Sequence, residues 1–179
     1  FMRREGRPGE RAILTSRVVD RPMRPLFPKE MRNDVCITMT VMSLDPDCSP
    51  EIAGMIGASL VTAVSEIPWN GPIGGVQVGL VDGEIVLNPT QEQRKKSDLA
   101  LTVAATMDKI VMIEAGANEV DEDTMLNAIK AAHVEIKKTI EFINRIVAER
   151  GKKKIDFQVV GLDMDVFHAI QNKYLDDFK

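Results

Sequence analysis

Apolar and polar positions follow two rhythms along this chain, and each change of rhythm marks an element. Between Glu10 and Asp20 the apolar residues Ile13, Leu14 and Val18 fall at helical spacing and form the predicted buried face of a first helix. Pro22 biases the residue before it away from helical geometry, which predicts a stop near Arg21. Val35-Cys36-Ile37-Thr38-Met39-Thr40-Val41-Met42 alternates, is rich in β-branched side chains, and predicts a strand. Asp45-Pro46-Asp47 turns the chain, and Ser49 or Asp47 caps a helix from Pro50 to about Ser65 with proline in its first turn. Gly54, Gly57, Ala58 and Ala63 keep one side of that helix small, which predicts close backbone packing rather than a ligand site.

The second half has strand rhythm first and helical rhythm after it. Asn70-Gly71-Pro72-Ile73-Gly74-Gly75 lacks the Gly-Lys-Ser/Thr ending of a phosphate-cradling loop and reads as a connection. Val76 to Val81 and Glu84 to Leu87 flank Asp82-Gly83, a strong hairpin signal. Thr90 to Lys96 is a charged turn or short helix, and Leu99 to Thr106 pairs with Ile110 to Glu114 around Met107-Asp108-Lys109. Asp121, Glu122 and Asp123 open a long helix to about Arg150, where the helix dipole explains three carboxylates better than a metal cluster does. Met125, Ile129, Ala132, Ile136, Ile140 and Ile143 form its apolar face, and His133 lies in it as packing or surface. Gly151 stops the helix, and Lys152-Lys153-Lys154 follows as a solvated charge run. A new helical pattern begins at Asp163, with Val166, Ile170 and Phe178 on one side; a helix start explains Asp163-Met164-Asp165 at least as well as a metal-binding pair does.

Charge is distributed unevenly. Residues 1–32 hold nine of the 23 Lys and Arg residues against four acids, a net +5, while the other 147 residues carry −9. Eight of those nine are arginine, whose guanidinium forks onto phosphate oxygens in pairs, so this end predicts a polyanion partner. The plainer alternative is pairing with the chain's own acids. Arg17 and Arg21 share a face of the first helix, while Arg24 lies among Pro22, Pro25 and Pro28. Aromatics are scarce, which predicts an aliphatic core. No run approaches the ~20 apolar residues of a membrane span. Cys36 and Cys48 have neither metal-ligand spacing nor a disulfide framework, which points to a reducing cytoplasm. Phe1 reads as the middle of a longer chain.

The element order, behind an arginine-rich loop, resembles the first RNase PH-like domain of the bacterial polynucleotide phosphorylases. The segments that carry the resemblance are Arg3-Arg4-Glu5-Gly6-Arg7-Pro8, Asp20-Arg21-Pro22-Met23-Arg24-Pro25-Leu26-Phe27-Pro28, Met55-Ile56-Gly57-Ala58-Ser59, Asn70-Gly71-Pro72-Ile73-Gly74 and Leu87-Asn88-Pro89-Thr90. It implies an α+β fold of the RNase PH-like (ribosomal-protein-S5-domain-2-like) type, a βαβ core whose mixed or antiparallel sheet is packed by helices. Residues 1–154 would form that domain, N-terminally incomplete, and residues 155–179 the beginning of an all-helical linker domain.

The activity implied is phosphorolytic 3′-to-5′ exoribonuclease action, by a nucleotidyltransferase that turns RNA and inorganic phosphate into nucleoside diphosphates in mRNA degradation. The implied partners are single-stranded RNA, inorganic phosphate, two further copies in a homotrimeric ring, and RNA-degradosome proteins, with no membrane. In the family a Phe-Phe-Arg-Arg loop lines the RNA channel. Phe1, Arg3 and Arg4 match it, Arg7 follows close by, and Met2 stands where the second Phe would be. Arg17, Arg21 and Arg24 take positions near the phosphate and RNA. The family's catalytic acid, lysine and Mg²⁺ ligands belong to a Gly-Asp-Met-Asp-Phe-Lys stretch in its second RNase PH-like domain. Ser97-Asp98-Leu99-Ala100-Leu101-Thr102 corresponds here, with Ala100 and Thr102 in place of Asp and Lys. The resemblance therefore implies no catalytic or metal-binding residue in this stretch and Mg²⁺ ligands outside it. Two rival readings are a non-catalytic structural ring subunit of an exosome-type assembly, and a small-metabolite kinase of related fold, against which the missing phosphate-cradling loop argues.

Overall fold

The computed structural model describes residue 6 and residues 8–157 and 163–175. Helix α1 spans Glu10–Met23 and passes into a 3-10 turn at Arg24–Leu26. Helix α2 spans Pro50–Val64, strands β1 and β2 span Gly74–Val81 and Glu84–Leu87, and helix α3 spans Gln91–Lys96. Strands β3 (Leu99–Ala105) and β4 (Ile110–Ala117) precede helices α4 (Glu122–Arg150) and α5 (Met164–Tyr174). The strands form one antiparallel sheet in the order β2-β1-β3-β4. Strands β2 and β3 run the same way with β1 between them and α3 in their connection, a split βαβ unit.

Local chemistry accounts for these elements. Asp82 and Gly83 both have positive φ, 53° and 80°, which two-residue hairpin turns require. Ser49, of the two candidate caps, is the one that accepts a hydrogen bond from Ile52 N (3.4 Å). Thr90 and Gln93 form a reciprocal capping box on α3. Asp121 caps α4 by accepting from Thr124 N (2.9 Å), a bond that holds its carboxyl below the usual range, and Asp163 accepts from Asp165 N and Val166 N. Both acidic clusters therefore have a capping role.

The helix α4 buries Ala128, Ala132, Ile136, Ile140 and Ile143, with Met125 and Ile129 partly buried beside them. Its face meets Val76, Val78, Leu99, Leu101, Val103 and Ala105 on one side of the sheet. At ~1.5 Å per residue the helix outruns the strands, so Ile143 joins a second cluster with Met23, Met55 and Trp69 from the α1–α2 side. Strand β1 begins where the helices converge. A Cβ on Gly74 would lie 3.0 Å from Ile136 Cγ2, and one on Gly75 would lie 2.6 Å from Met55 Sδ. Glycine at both positions lets a helix press on each face.

Five expectations are corrected. Helix α1 does not stop near Arg21. Pro22 sits in its last turn, and Arg24 N still bonds to Asp20 O, so a single missing donor does not end the helix. Its buried face is Val19, Pro22 and Met23, with Val18 partly buried; Ile13 and Leu14 are about half exposed. Residues 31–45 contain no strand. Val35 and Ile37 are half-buried while Cys36 and Thr38 are exposed, so the alternation sets faces, but among the described residues no backbone pairs with Val35 to Met42. Gly54 receives the Met39 side chain, with Sδ at 3.2 Å from a Cβ position, rather than a backbone, and Gly57 faces open space. Lys154 is not solvated like Lys152 and Lys153: its ammonium donates to Thr62 O, Ala63 O and Ser65 O at 3.2, 2.9 and 2.6 Å.

Candidate nucleic-acid interface and the sheet cleft

The sheet face away from α4 is only partly covered. Helix α2 lies over the end that carries Gly75, Ala104 and Met112, and the other end stays open. Alternation within each strand puts Gln77, Thr102 and Glu114 side by side in one cross-strand row, with Gly79, Ala100 and Gly116 in the next row of their face. These two rows lie at a cleft of about 490 Å³, walled by Val18 of α1, Glu51 of α2, and Pro89 and Arg94 from the α3 segment. Ala100 and Thr102 line this cleft.

The cleft walls are tied by hydrogen bonds that reach across the chain. Arg94 donates to Pro89 O (2.7 Å) and Pro46 O, and Gln91 N donates to Asp47 Oδ1 (2.9 Å), so α3 and the turn before α2 are fixed together. Burial pushes the Glu51 carboxyl up. Hydrogen bonds from Ser49 Oγ (2.7 Å), its own amide and Thr15 Oγ1 (3.4 Å), with the nearby Arg11 charge, outweigh that effect and hold it below the ordinary range. Ser97 Oγ accepts from Leu80 N (2.8 Å) and donates to Leu99 O (2.6 Å). Asp98 Oδ1 accepts from Asn118 Nδ2 (3.3 Å). Among the described residues, no three His, Cys, Asp or Glu side chains come together as a metal cage. The row offers an amide, a hydroxyl and a single carboxylate, and that carboxylate faces Arg21.

The arginines of α1 and of the 3-10 turn after it divide in their surroundings. Arg17 and Arg24 line a second cleft of about 380 Å³ with Asp20, Phe27, Ile37 and Met39, an apolar floor under a charged rim. Arg24 forms a two-pronged pair with Asp20, which raises its already high pKa. Arg21 instead reaches strand β4, its Nη1 3.8 Å from Glu114 Oε2. The structure thus brings Arg17 and Arg24 to one cleft and sets Arg21 at the edge of the other. Self-pairing, the plainer alternative for these cations, is what Arg11, Arg21 and Arg24 show, all at exposed positions where solvent screening leaves such pairs weak. Phe1, Arg3, Arg4 and Arg7 lie outside the described residues. His133 Nε2 lies 3.1 Å from Thr106 O and is half-buried, in agreement with a packing role.

Sequence reasoning missed Glu51, Glu114, Gln77 and Lys154. For the sheet row a signal existed: each of its members is the polar residue that interrupts an apolar strand at period two. For Lys154 none did, because its partners lie about ninety positions away.

A single antiparallel sheet backed by a long helix, with two helices and an open cleft on its other face, defines an RNase PH-like architecture. Rice Rrp46 shares it, with a TM-score of 0.62 at 10% identity over 80% of this chain and 69% of that chain. The model described as 3′ exoribonuclease family, domain 1, matches residues 1–68, and that described as 3′ exoribonuclease family, domain 2, matches residues 71–135. The chain belongs to the 3′ exoribonuclease family. Similar curated proteins carry the name polyribonucleotide nucleotidyltransferase. The one from Ruminiclostridium cellulolyticum is 57% identical over 96% of this chain, and the one from Clostridioides difficile is 51% identical over all of it. This chain spans about a quarter of the length of these relatives, 24% and 26%. Among the described residues no helix is long and apolar enough to cross a membrane.

Proposed function

We propose that this chain is the RNA-gripping and ring-building part of a phosphorolytic 3′-to-5′ exoribonuclease, whose bond-breaking groups lie elsewhere in the protein. The observation that carries this reading is identity above one half to polyribonucleotide nucleotidyltransferases along nearly the whole chain. The substrates are single-stranded RNA and inorganic phosphate, and the products are nucleoside diphosphates. Residues 1–154 form the RNase PH-like domain of a homotrimeric ring, and residues 155–179 begin a helical linker. Phe1, Arg3, Arg4 and Arg7 contact RNA, and Arg17, Arg21 and Arg24 lie near its phosphates. The Mg²⁺ ligands belong to other parts of the protein, and degradosome partners and a cytoplasmic location go with this activity. The residues at the cleft support the division of labour. Ala100 can neither bind a metal nor move a proton, and the Thr102 hydroxyl brings no charge to a phosphoryl group.

A purely structural ring subunit is the second reading, which the names of the similar proteins do not favour. The two separate at the amino end. In the intact protein, Arg3→Glu with Arg4→Glu weakens RNA binding and flattens its salt dependence if this part grips RNA. Unchanged affinity and unchanged slope select the structural subunit.

A further inference from the structure

Glu51 and Glu114 both stand at the sheet cleft and both face an arginine of α1, yet their surroundings differ. Glu51 is half-buried and anchored by Ser49 and Thr15 in addition to Arg11, so it serves the fold whatever Arg11 does. Glu114 is exposed on the edge strand, and among the described residues its polar partner is the Arg21 guanidinium at 3.8 Å. Both side chains of that pair are more than half exposed, at 56% and 54%. No geometry of the fold needs the pair, because α1 is held by Val19, Pro22 and Met23 in the core and by Trp69 Nε1 donating to Met23 O (3.1 Å).

We propose that Glu114 is an internal competitor for the phosphate backbone: its carboxylate occupies Arg21 in the free protein and yields it when a phosphodiester arrives. This inference rests on the RNA-gripping reading above and adds a control to it, in which Glu114 is a positioning residue that acts through Arg21. A phosphate that accepts two guanidinium N–H groups at ~2.8 Å replaces a single contact at 3.8 Å, so the exchange runs toward RNA. Glu114 also stands beside Thr102 in the polar row and is exposed, so its released carboxylate keeps a polar neighbour and water rather than an apolar wall. The result is a lower affinity than the arginines alone would give, which suits a strand that must slide between cuts.

The test is oligo(A) binding by the intact protein, titrated over a range of salt, for Glu114→Gln, Glu114→Asp, Arg21→Gln, Arg17→Gln and the Glu114→Gln/Arg21→Gln double variant. The expected result for Glu114→Gln is binding about two- to five-fold tighter at low salt, the scale of one surface ion pair. Its slope of log K against log salt stays within ~0.7 of the parent's, the value of one phosphate contact on a single strand, because the parent makes the Arg21 contact too once Glu114 yields. Glu114→Asp stays close to the parent, and the double variant shows no gain over Arg21→Gln. The proposal is overturned if Glu114→Gln leaves binding unchanged or weaker, or if its gain persists without Arg21, while Arg17→Gln and Arg21→Gln still weaken binding. If neither arginine variant moves affinity or slope, the grip of α1 on RNA falls, and the competitor with it.

Discussion

The ammonium of Lys154 supplies donors to the end of α2, where helices elsewhere use a glycine cap or water. It donates to three carbonyls, while Lys152 N and Ile155 N pair with Val64 O and Glu66 O, so every carbonyl from Thr62 to Glu66 has a partner in residues 152–155. Burial lowers its pKa. Lys154→Met leaves Ala63 O and Ser65 O to water and Thr62 O to the Ser65 hydroxyl, and is expected to lower stability by about 1–2 kcal/mol. A urea titration checks it: the midpoint falls with the slope unchanged, and Lys154→Arg recovers part of the loss. An unchanged midpoint for Lys154→Met contradicts the assignment. The contrast of Glu51 with Glu114 is of the same kind. Identical side chains take structural or exchangeable roles according to how many other donors hold them.

Among the elements, the sheet and α4 are the most legible in the sequence. The Asp82-Gly83 turn, the alternation of Leu99 to Ala105 and the spacing of Ala132, Ile136, Ile140 and Ile143 each specify one geometry, and the structure contains all three. Val35 to Met42 has the same alternation and forms no ladder, because side-chain rhythm selects a face but a strand needs a neighbour with free N–H and C=O groups. Helix α1 failed in the opposite sense. Ile13 and Leu14 have helical spacing with Val18, yet the core takes Val19 and Met23, since the position of Trp69 and α2 decides which flank of α1 is covered. Hydrogen exchange measures the difference between the two kinds of alternating segment. Amides of Cys36 to Val41 are expected to exchange orders of magnitude faster than those of Ala100 to Val103 in this chain. Equal protection would mean that the first segment is paired after all.

At the scale of the molecule, a protein of net charge −4 carries +5 in its first 32 residues. Exposed self-pairs on α1 reduce that field without abolishing it, since each contributes less than a well-seated phosphate contact. In the 490 Å³ cleft, Ala100 and Thr102 bring neither a carboxylate nor an ammonium to phosphoryl transfer, and the acids present, Glu51 and Glu114, each face an arginine of α1. Sequence alone showed the basic end and the two substituted positions. It could not show that the cleft survives as an open, tied structure, because its row is assembled from three strands whose register only the fold reveals. Nor could it show which acids neutralise which arginines, because Glu114 and Arg21 are ninety-three positions apart. The salt dependence of single-stranded oligo(A) binding to this chain tests the central claim most directly. If the basic end grips RNA, log K falls linearly with log salt, with a slope of about −0.7 for each phosphate held and several phosphates held in all. A flat dependence, or no binding at low salt, would contradict it.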